Sequence, residues 1–239
     1  MYCLAKGLEI RIHSQKNEAS GRLAARINRA TNPILYHKGP VMINSTAYVI
    51  WYGNWAGNTG VALIEYFLQN IGTHPWWYMT TEYNQTAGIV FGKSTTDNYS
   101  QGKTLTDARV LTIVKSAIIS GRLPNDTNGI YFVLTAGDVS ETSGFCTQYC
   151  GWHSYDPASK LKFSFVGNPA TKCPKGCSPQ PLSPNNNLGA DAMISVIAHE
   201  ATEAVTDPAL NAWYDASGQE NADKCAWTFG NTSTASNGA

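Results

Sequence analysis

The stretch from Asn187 to Asp207 limits most strongly how this chain can fold, because it predicts a long helix that carries potential metal ligands. Asn187 can cap its start, while Pro208 cannot continue a helix and moves Asp207 out of the α conformation. His199 and Glu203 are four residues apart and are therefore neighbours on one face. An apolar stripe on another face predicts that the helix packs on that side only and leaves the His199 edge open for chemistry. The residues of the stripe are Ile194, Ile197, Ala198, Ala201 and Val205.

The pattern His199-Glu200-x-x-Glu203 is close to H-E-x-x-H, in which two histidines bind zinc and the glutamate is a general base. We therefore predict that His199 and Glu203 bind Zn²⁺ or another divalent cation and that Glu200 is the general base of a zincin-like hydrolase, a metallopeptidase. Glu203 replaces the second histidine and adds negative charge, which favours harder cations and weakens Lewis acidity. The alternative is a non-catalytic extracellular protein of the cell wall or host interface that binds carbohydrate or protein, in which any cation is structural.

A cation at this place needs a third protein ligand. Asp207 continues the four-residue series, but two helical turns, about 12 Å, separate it from His199. Glu220 and Asp223 follow on the segment after the helix, about 20 residues beyond the pattern. We favour Glu220 or Asp223 over Asp207, and a disulfide from Cys225 would hold their segment near the helix.

Five of the six cysteines lie in the second half of the chain, at Cys146, Cys150, Cys173, Cys177 and Cys225. Their spacing is compatible with a zinc ribbon or with disulfides, and the surrounding Gly-, Pro- and Ser-rich loops favour disulfides without defining the pairing. We therefore predict a secreted, extracellular protein, whose signal peptide is not in this sequence. A catalytic pair of Cys146 or Cys150 with His153 is the less favoured interpretation.

Composition limits the kind of partner. The chain has 239 residues, 17 basic and 17 acidic, and only 14% of its residues are charged. This balance argues against nucleic acid as a partner, and no apolar run is long enough to cross a membrane. We expect a peptide or protein substrate, or cell-wall polysaccharide. Trp76 and Trp77 are candidates for stacking on sugar rings, although aromatic residues in a strand belong more often to the core.

Strand and helix patterns alternate along the chain, which predicts a single α/β (or α+β) domain with a mixed sheet, two backing helices, the zincin-like active helix and disulfide-rich loops. We place an uncertain segment at 1–38 with a possible short helix, the domain at 39–230 and a polar tail at 231–239. Strands are predicted near 41–55, 76–83, 88–95, 129–139 and 160–168, and helices near 61–72 and 105–124.

Several motifs occur in the order found in one family. They are GPVM (39–42), YVIWYGNW (48–55), YFVLTAGDV (131–139), SGFCTQYCGWH (143–153), FVGNP (165–169), KCPKGC (172–177) and SPNNNLGADAMIS (183–195). Over about residues 39–223 the chain resembles the phosphate-induced, or EXORDIUM-like, protein family. The resemblance implies a secreted protein, linked in plants to cell-wall-associated growth, and brings no established biochemical activity.

The resemblance also implies where this chain differs from the plant pattern. Plant members have small, uncharged residues where HEATE (199–203) stands here, so the plant role does not extend to the predicted metal ligands. HEATEAVTDP (199–208), followed by W-Y-D, G-x-E and D-K-C, is similar to a microbial branch of the family, fungal, oomycete or bacterial. Relatives are expected to continue beyond Ala239.

Overall fold

The computed structural model describes residues 32–180 and 182–228, together with the backbone of a strand at 9–14. The strands are β1 (Glu9–Ser14), β2 (Leu35–Tyr36), β3 (Ser45–Tyr52), β4 (Ile89–Asp97), β5 (Thr104–Leu105), β6 (Gly129–Thr135), β7 (Ser140–Glu141), β8 (Tyr149–Asp156), β9 (Leu161–Val166) and β10 (Trp213–Tyr214). The helices are α1 (Gly60–Asn70), α2 (Asp107–Ile119), α3 (Pro174–Cys177) and α4 (Leu188–Thr206), and 3₁₀ segments cover Ile71–Thr73, Pro75–Tyr83 and Asp223–Cys225.

A six-stranded mixed sheet in the order β1-β8-β9-β6-β3-β4 forms the centre of the fold. The four strands from β9 to β4 run parallel, whereas β8 is antiparallel to β9 and β1 is antiparallel to β8. All residues of β6 are buried, as its continuous apolar run predicts for a strand covered on both faces. The predicted mixed α/β domain is confirmed.

The two faces of the sheet pack against different helices because side chains alternate along each strand. On one face, Val49 and Phe132 contact the helices α1 and α4 through residues such as Ile64 and Met193. On the other face, Ile50 packs against α2 through side chains that include Val110 and Ile113. Burial of each such aliphatic side chain contributes about 1.5–3 kcal/mol, so the two layers hold α4 firmly against the sheet.

Two predicted elements were wrong. Residues 76–83 form a 3₁₀ segment instead of a strand, because Pro75 occupies its first position and His74 Nδ1 accepts a hydrogen bond from the amide of Trp76 at 3.2 Å. The segment that starts at Tyr149 was interpreted as a cysteine loop, but it is the strand β8, paired on one side with β9. The possible helix at residues 23–30 lies outside the described residues.

Two disulfides join the region before and within β8 to the loop after β9. They are Cys146–Cys173 and Cys150–Cys177, each closing a loop with a sequence separation of 27. In the chain-entropy model, a disulfide that closes a loop of this size stabilises the folded state by about 3–4 kcal/mol, because it restricts the unfolded chain. The prediction of disulfides is confirmed for these four cysteines. Cys225 is exposed and in neither of these two bridges, and the disulfide expected from it stays a prediction.

Candidate metal centre

Helix α4 follows the predicted bounds. The Asn187 side chain accepts a hydrogen bond from the amide of Ala190 at 3.1 Å, and the helix ends at Thr206 because Asp207, before Pro208, leaves the helical conformation at φ −136° and ψ 56°. The edge that was predicted to be open, however, is mostly covered. His199 is 6% exposed and Glu203 is fully buried, since β8, the segment at Pro75–Tyr83 and the residues after the helix cover that side.

Three side chains form a first group that can hold a cation, here named the cleft triad: His199, Glu203 and Asp223. His199 Nε2 lies 3.0 Å from Glu203 Oε1 and 3.4 Å from Asp223 Oδ1. The backbone amide of Asp223 donates to Glu203 Oε1 at 3.0 Å, which fixes the approach of the two acidic residues. An imidazole nitrogen with two carboxylates is a donor set suited to Zn²⁺ and to other divalent transition metals.

A second group lies deeper and shares one member with the first. This buried triad consists of His153 on β8, Glu203 on α4 and Glu220 on the returning segment. His153 Nδ1 lies 3.6 Å from Glu203 Oε2, and His153 Nε2 lies 3.5 Å from Glu220 Oε2. The sequence interpretation missed His153 as a ligand. The period-two alternation of β8, with Trp152 on the opposite face, is the signal that places Gly151 and His153 toward α4.

Glu200 faces the sheet instead of an open space. Its Oε2 lies 3.2 Å from His153 Nδ1, and its buried Oε1 has no hydrogen-bond partner among the described residues. The strand and the helix approach each other closely here, since a Cβ added to Gly151 would lie 2.6 Å from a methyl carbon of Val196 and 3.4 Å from Glu200 Oε1. The side chain predicted to be the general base therefore contacts a histidine of the strand.

Polar contacts hold the segment after α4. Asn221 Nδ2 donates to Thr206 Oγ1 at 3.0 Å, and Lys224 Nζ lies 2.5 Å from Asp215 Oδ2. These contacts bring Glu220 and Asp223 back to the helix. Asp207 has a structural role: its Oδ1 accepts hydrogen bonds from the backbone amides of residues 211 and 212, both at 2.6 Å. It belongs to neither triad.

The electrostatics of the centre follow from its burial. Burial raises the pKa of Glu203 to about 7, with the nearby Asp223 carboxylate adding to the effect, and raises the pKa of Glu200 well above its usual range. Burial acts to lower the pKa of His199, but the carboxylates of Glu203 and Asp223 outweigh it and raise that pKa well above its ordinary value. Buried carboxylates need compensating positive charge, and shared protons or a divalent cation can supply it.

His199 also borders a cleft of about 480 Å³. The walls are mostly apolar and are formed in part by Trp76, Met79, Tyr83, Thr202 and Trp227. Trp76 is 41% exposed and lines the cleft, whereas Trp77 is 2% exposed and donates its Nε1–H to Gln85 Oε1 at 3.0 Å. The prediction that both tryptophans stack on sugar rings fails for Trp77, which is a core residue.

Comparisons with known proteins place the chain in a family. The family model described as the phosphate-induced protein 1 conserved region matches residues 34–238. The chain belongs to the phosphate-induced protein 1 family. This confirms the resemblance predicted from the ordered motifs.

The chain is similar to several plant proteins. The chain is 36% identical to "Protein EXORDIUM-like 3" of Arabidopsis thaliana over 82% of its own length and 69% of the relative. It is 33% identical to "Protein EXORDIUM-like 5" of the same plant, over 75% of the chain and 59% of the relative. "Protein PHOSPHATE-INDUCED 1" of Nicotiana tabacum is 28% identical over 82% of the chain and 72% of the relative. No solved structure matches the chain, and no helix among the described residues is both long and apolar enough to cross a membrane.

Proposed function

We propose that this protein binds a divalent cation, Zn²⁺ or a similar metal, through the cleft triad and uses the cation and the apolar cleft together to bind an extracellular ligand. The observation that carries the proposal is the convergence of His199, Glu203 and Asp223, whose ligand atoms lie within 4.8 Å of one another, at a place where His199 lines the cleft. The burial of Glu203 supports it, because a fully buried carboxylate is stabilised by a neighbouring cation.

The ligand class follows from the lining of the cleft. Trp76 and Tyr83 offer aromatic faces, which suit a sugar ring or an apolar peptide side chain, and Met79 adapts to irregular shapes. A carboxylate or hydroxyl group of the ligand would complete the coordination of the cation. We propose cell-wall polysaccharide or an extracellular peptide as the partner, and the two disulfides support an oxidising, extracellular location.

Hydrolysis of a peptide by a zincin-like mechanism is the second candidate, favoured by the opening of His199 on the cleft within an H-E-x-x-E pattern. A bound cation would supply Lewis acidity and lower the pKa of water. Glu200 would have to accept the proton of that water, and a general base must come within hydrogen-bond reach of it. Because Glu200 contacts His153 and does not line the cleft, its side chain must first turn away from the strand.

Metal content tests the common part of both candidates. Purified protein dialysed against Zn²⁺ should retain the metal through the cleft triad, and His199→Ala and Asp223→Asn should each remove that bound cation. His37→Ala, which replaces an exposed histidine outside both triads and outside the cleft lining, is the matched control. Wild-type protein without stoichiometric metal, measured by elemental analysis, contradicts the proposal.

Activity then separates the two candidates. Metal-loaded wild type is incubated with casein as a generic protein substrate and, separately, with insoluble cell-wall polysaccharide. Cleavage of casein that is lost in both His199→Ala and Glu200→Gln supports the peptidase. Metal-dependent retention on the polysaccharide without cleavage, weakened by Trp76→Ala, supports the binding function.

A further inference from the structure

We propose that the buried triad of His153, Glu203 and Glu220 binds a divalent cation of its own, so that Glu203 bridges two cations. The inference extends the proposed function through the shared Glu203, but it concerns a separate set of ligands. His153 reaches the site from β8, Glu203 from α4 and Glu220 from the segment after the helix. A cation there would join three parts of the fold that are otherwise distant in the sequence.

The orientation of the Glu203 carboxylate is the first supporting observation. Its Oε1 faces the cleft triad, 3.0 Å from His199 Nε2, while its Oε2 faces the imidazole ring of His153, with the nearer ring nitrogen, Nδ1, 3.6 Å away. Glu203 Oε2 is fully buried and has no hydrogen-bond partner among the described residues. A carboxylate with one oxygen directed to each of two donor groups has the arrangement of a bridging ligand in a two-metal site.

The contact between His153 and Glu200 is the second observation. A histidine that binds a metal through one ring nitrogen commonly donates its other N–H to a carboxylate, which fixes the tautomer and the ring orientation. Glu200 Oε2 lies 3.2 Å from His153 Nδ1, while His153 Nε2 faces Glu220 at 3.5 Å. In this arrangement Nδ1 donates to Glu200 and Nε2 serves the cation. Glu200 is then a positioning residue for the buried cation.

Burial is the third observation. His153 is 1% exposed, and Glu200, Glu203 and Glu220 are fully buried. The described ion pairs of Glu200 and Glu203 are all with His153 and His199. Carboxylates at this depth are costly to ionise without a compensating charge, and a divalent cation supplies twice the charge of an imidazolium.

The number of bound cations tests the inference. The full chain is stripped with a chelator, dialysed against Zn²⁺ and analysed for bound zinc per protein. Each protein is also measured with Cys225→Ser added, so that a contribution of Cys225, which lines the cleft, to the zinc count is identified. We compare wild type with His153→Ala and Glu220→Gln for the buried triad, with His199→Ala and Asp223→Asn for the cleft triad, with Glu203→Gln for both, and with His37→Ala as control. Glu220→Gln keeps the shape of the side chain, and circular dichroism of the metal-free proteins verifies that each variant folds.

We expect two bound zinc ions per protein in wild type and one in each variant that changes a ligand of only one triad. Glu203→Gln should weaken zinc binding at both sites. One equivalent that disappears in His199→Ala but persists in folded His153→Ala and Glu220→Gln would overturn the buried site and leave the proposed cleft site intact. One equivalent that disappears in His153→Ala and Glu220→Gln but persists in His199→Ala supports the buried site and overturns the cleft site. No zinc in wild type overturns both.

Discussion

Glu200 Oε2 lies 3.2 Å from His153 Nδ1, so the glutamate that follows the histidine of the H-E-x-x-E pattern faces a strand and not the cleft. This contact changes the role we assign to Glu200. As a general base it would act on water in the cleft, whereas beside His153 it orients a ligand of the buried triad. The two roles predict different consequences for the same substitution.

Substitutions at Glu200 should therefore act on metal affinity. We expect Glu200→Ala to lower the affinity of the buried triad for its cation by about 10- to 100-fold, because His153 loses the acceptor that fixes its tautomer. Glu200→Gln retains an acceptor oxygen and should recover part of that affinity. Competition with a chromogenic chelator measures both values. If Glu200→Ala leaves the affinity unchanged, the positioning role is wrong.

Removal of metal should lower stability. A cation that binds only the folded protein at 100 times its dissociation constant contributes about 2.7 kcal/mol, which for a domain of this size corresponds to a rise in melting temperature of about 5–10 °C. Differential scanning fluorimetry with and without a chelator measures the shift. Glu203→Gln should abolish most of it, since Glu203 belongs to both triads. An equal shift in that variant and in wild type contradicts this prediction.

The two neighbouring tryptophans should differ in their effects. Trp77 is in the core and holds Gln85, so Trp77→Ala should lower the free energy of unfolding by about 3–5 kcal/mol. Trp76 is partly exposed at the cleft. Trp76→Ala should lower the free energy of unfolding by about 1 kcal/mol or less, while it weakens ligand binding. Urea denaturation and a polysaccharide retention assay measure the two effects. Equal destabilisation by both substitutions is the contradictory result.

A buried carboxylate away from the metal centre should make stability depend on pH. Burial raises the pKa of Asp107 to about 6, and the adjacent Glu141 also raises it. The hydrogen bond that Ser143 Oγ donates to the Asp107 carboxyl lowers the pKa and opposes this rise. Since the folded state binds more protons than the unfolded state between pH 4 and 6, stability falls as the pH rises through this window. The shift corresponds to about 3 kcal/mol, and solvent screening of this incompletely buried carboxyl lowers the expected fall to about 1–2 kcal/mol.

Asp107→Asn tests this dependence, because the amide keeps an acceptor for Ser143 without the charge. The variant should gain stability relative to wild type at pH 7 and lose that advantage at pH 4, as measured by urea denaturation at both values. Asp138→Asn serves as control, because Asp138 is on the surface and its pKa is lowered by Lys103. A difference between Asp107→Asn and wild type that is the same at both pH values is incompatible with the raised pKa.

The cysteines should divide into two classes. Removal of the Cys150–Cys177 bridge by a double substitution to serine should lower the free energy of unfolding by about 3 kcal/mol, since the bridge ties β8 to α3. Cys225→Ser should lower it by less than this, because Cys225 is exposed and in neither of these bridges. Thermal or urea unfolding under oxidising conditions measures both. An equal loss in Cys225→Ser and in the double substitution contradicts the difference.

The sequence by itself determined the elements whose causes are local. Asn187 as cap and Pro208 as stop define α4, and the apolar run at residues 129–139 defines β6, because capping, backbone restriction and periodicity act over a few residues. The ordered motifs likewise gave the family. The 3₁₀ segment after Pro75 was missed because its aromatic and β-branched residues have strand propensity, and propensity yields to tertiary context.

Only the tertiary structure decided how the candidate ligands are grouped. The sequence placed His199 and Glu203 together through helical spacing, but it could not bring His153 to the same centre, since β8 and α4 meet through packing between residues 47 positions apart. The sequence also did not show that Glu200 faces the strand, or that Glu220 and Asp223 belong to different triads. The position of each oxygen in space depends on how the sheet, the helix and the returning segment pack, and that is a property of the whole fold.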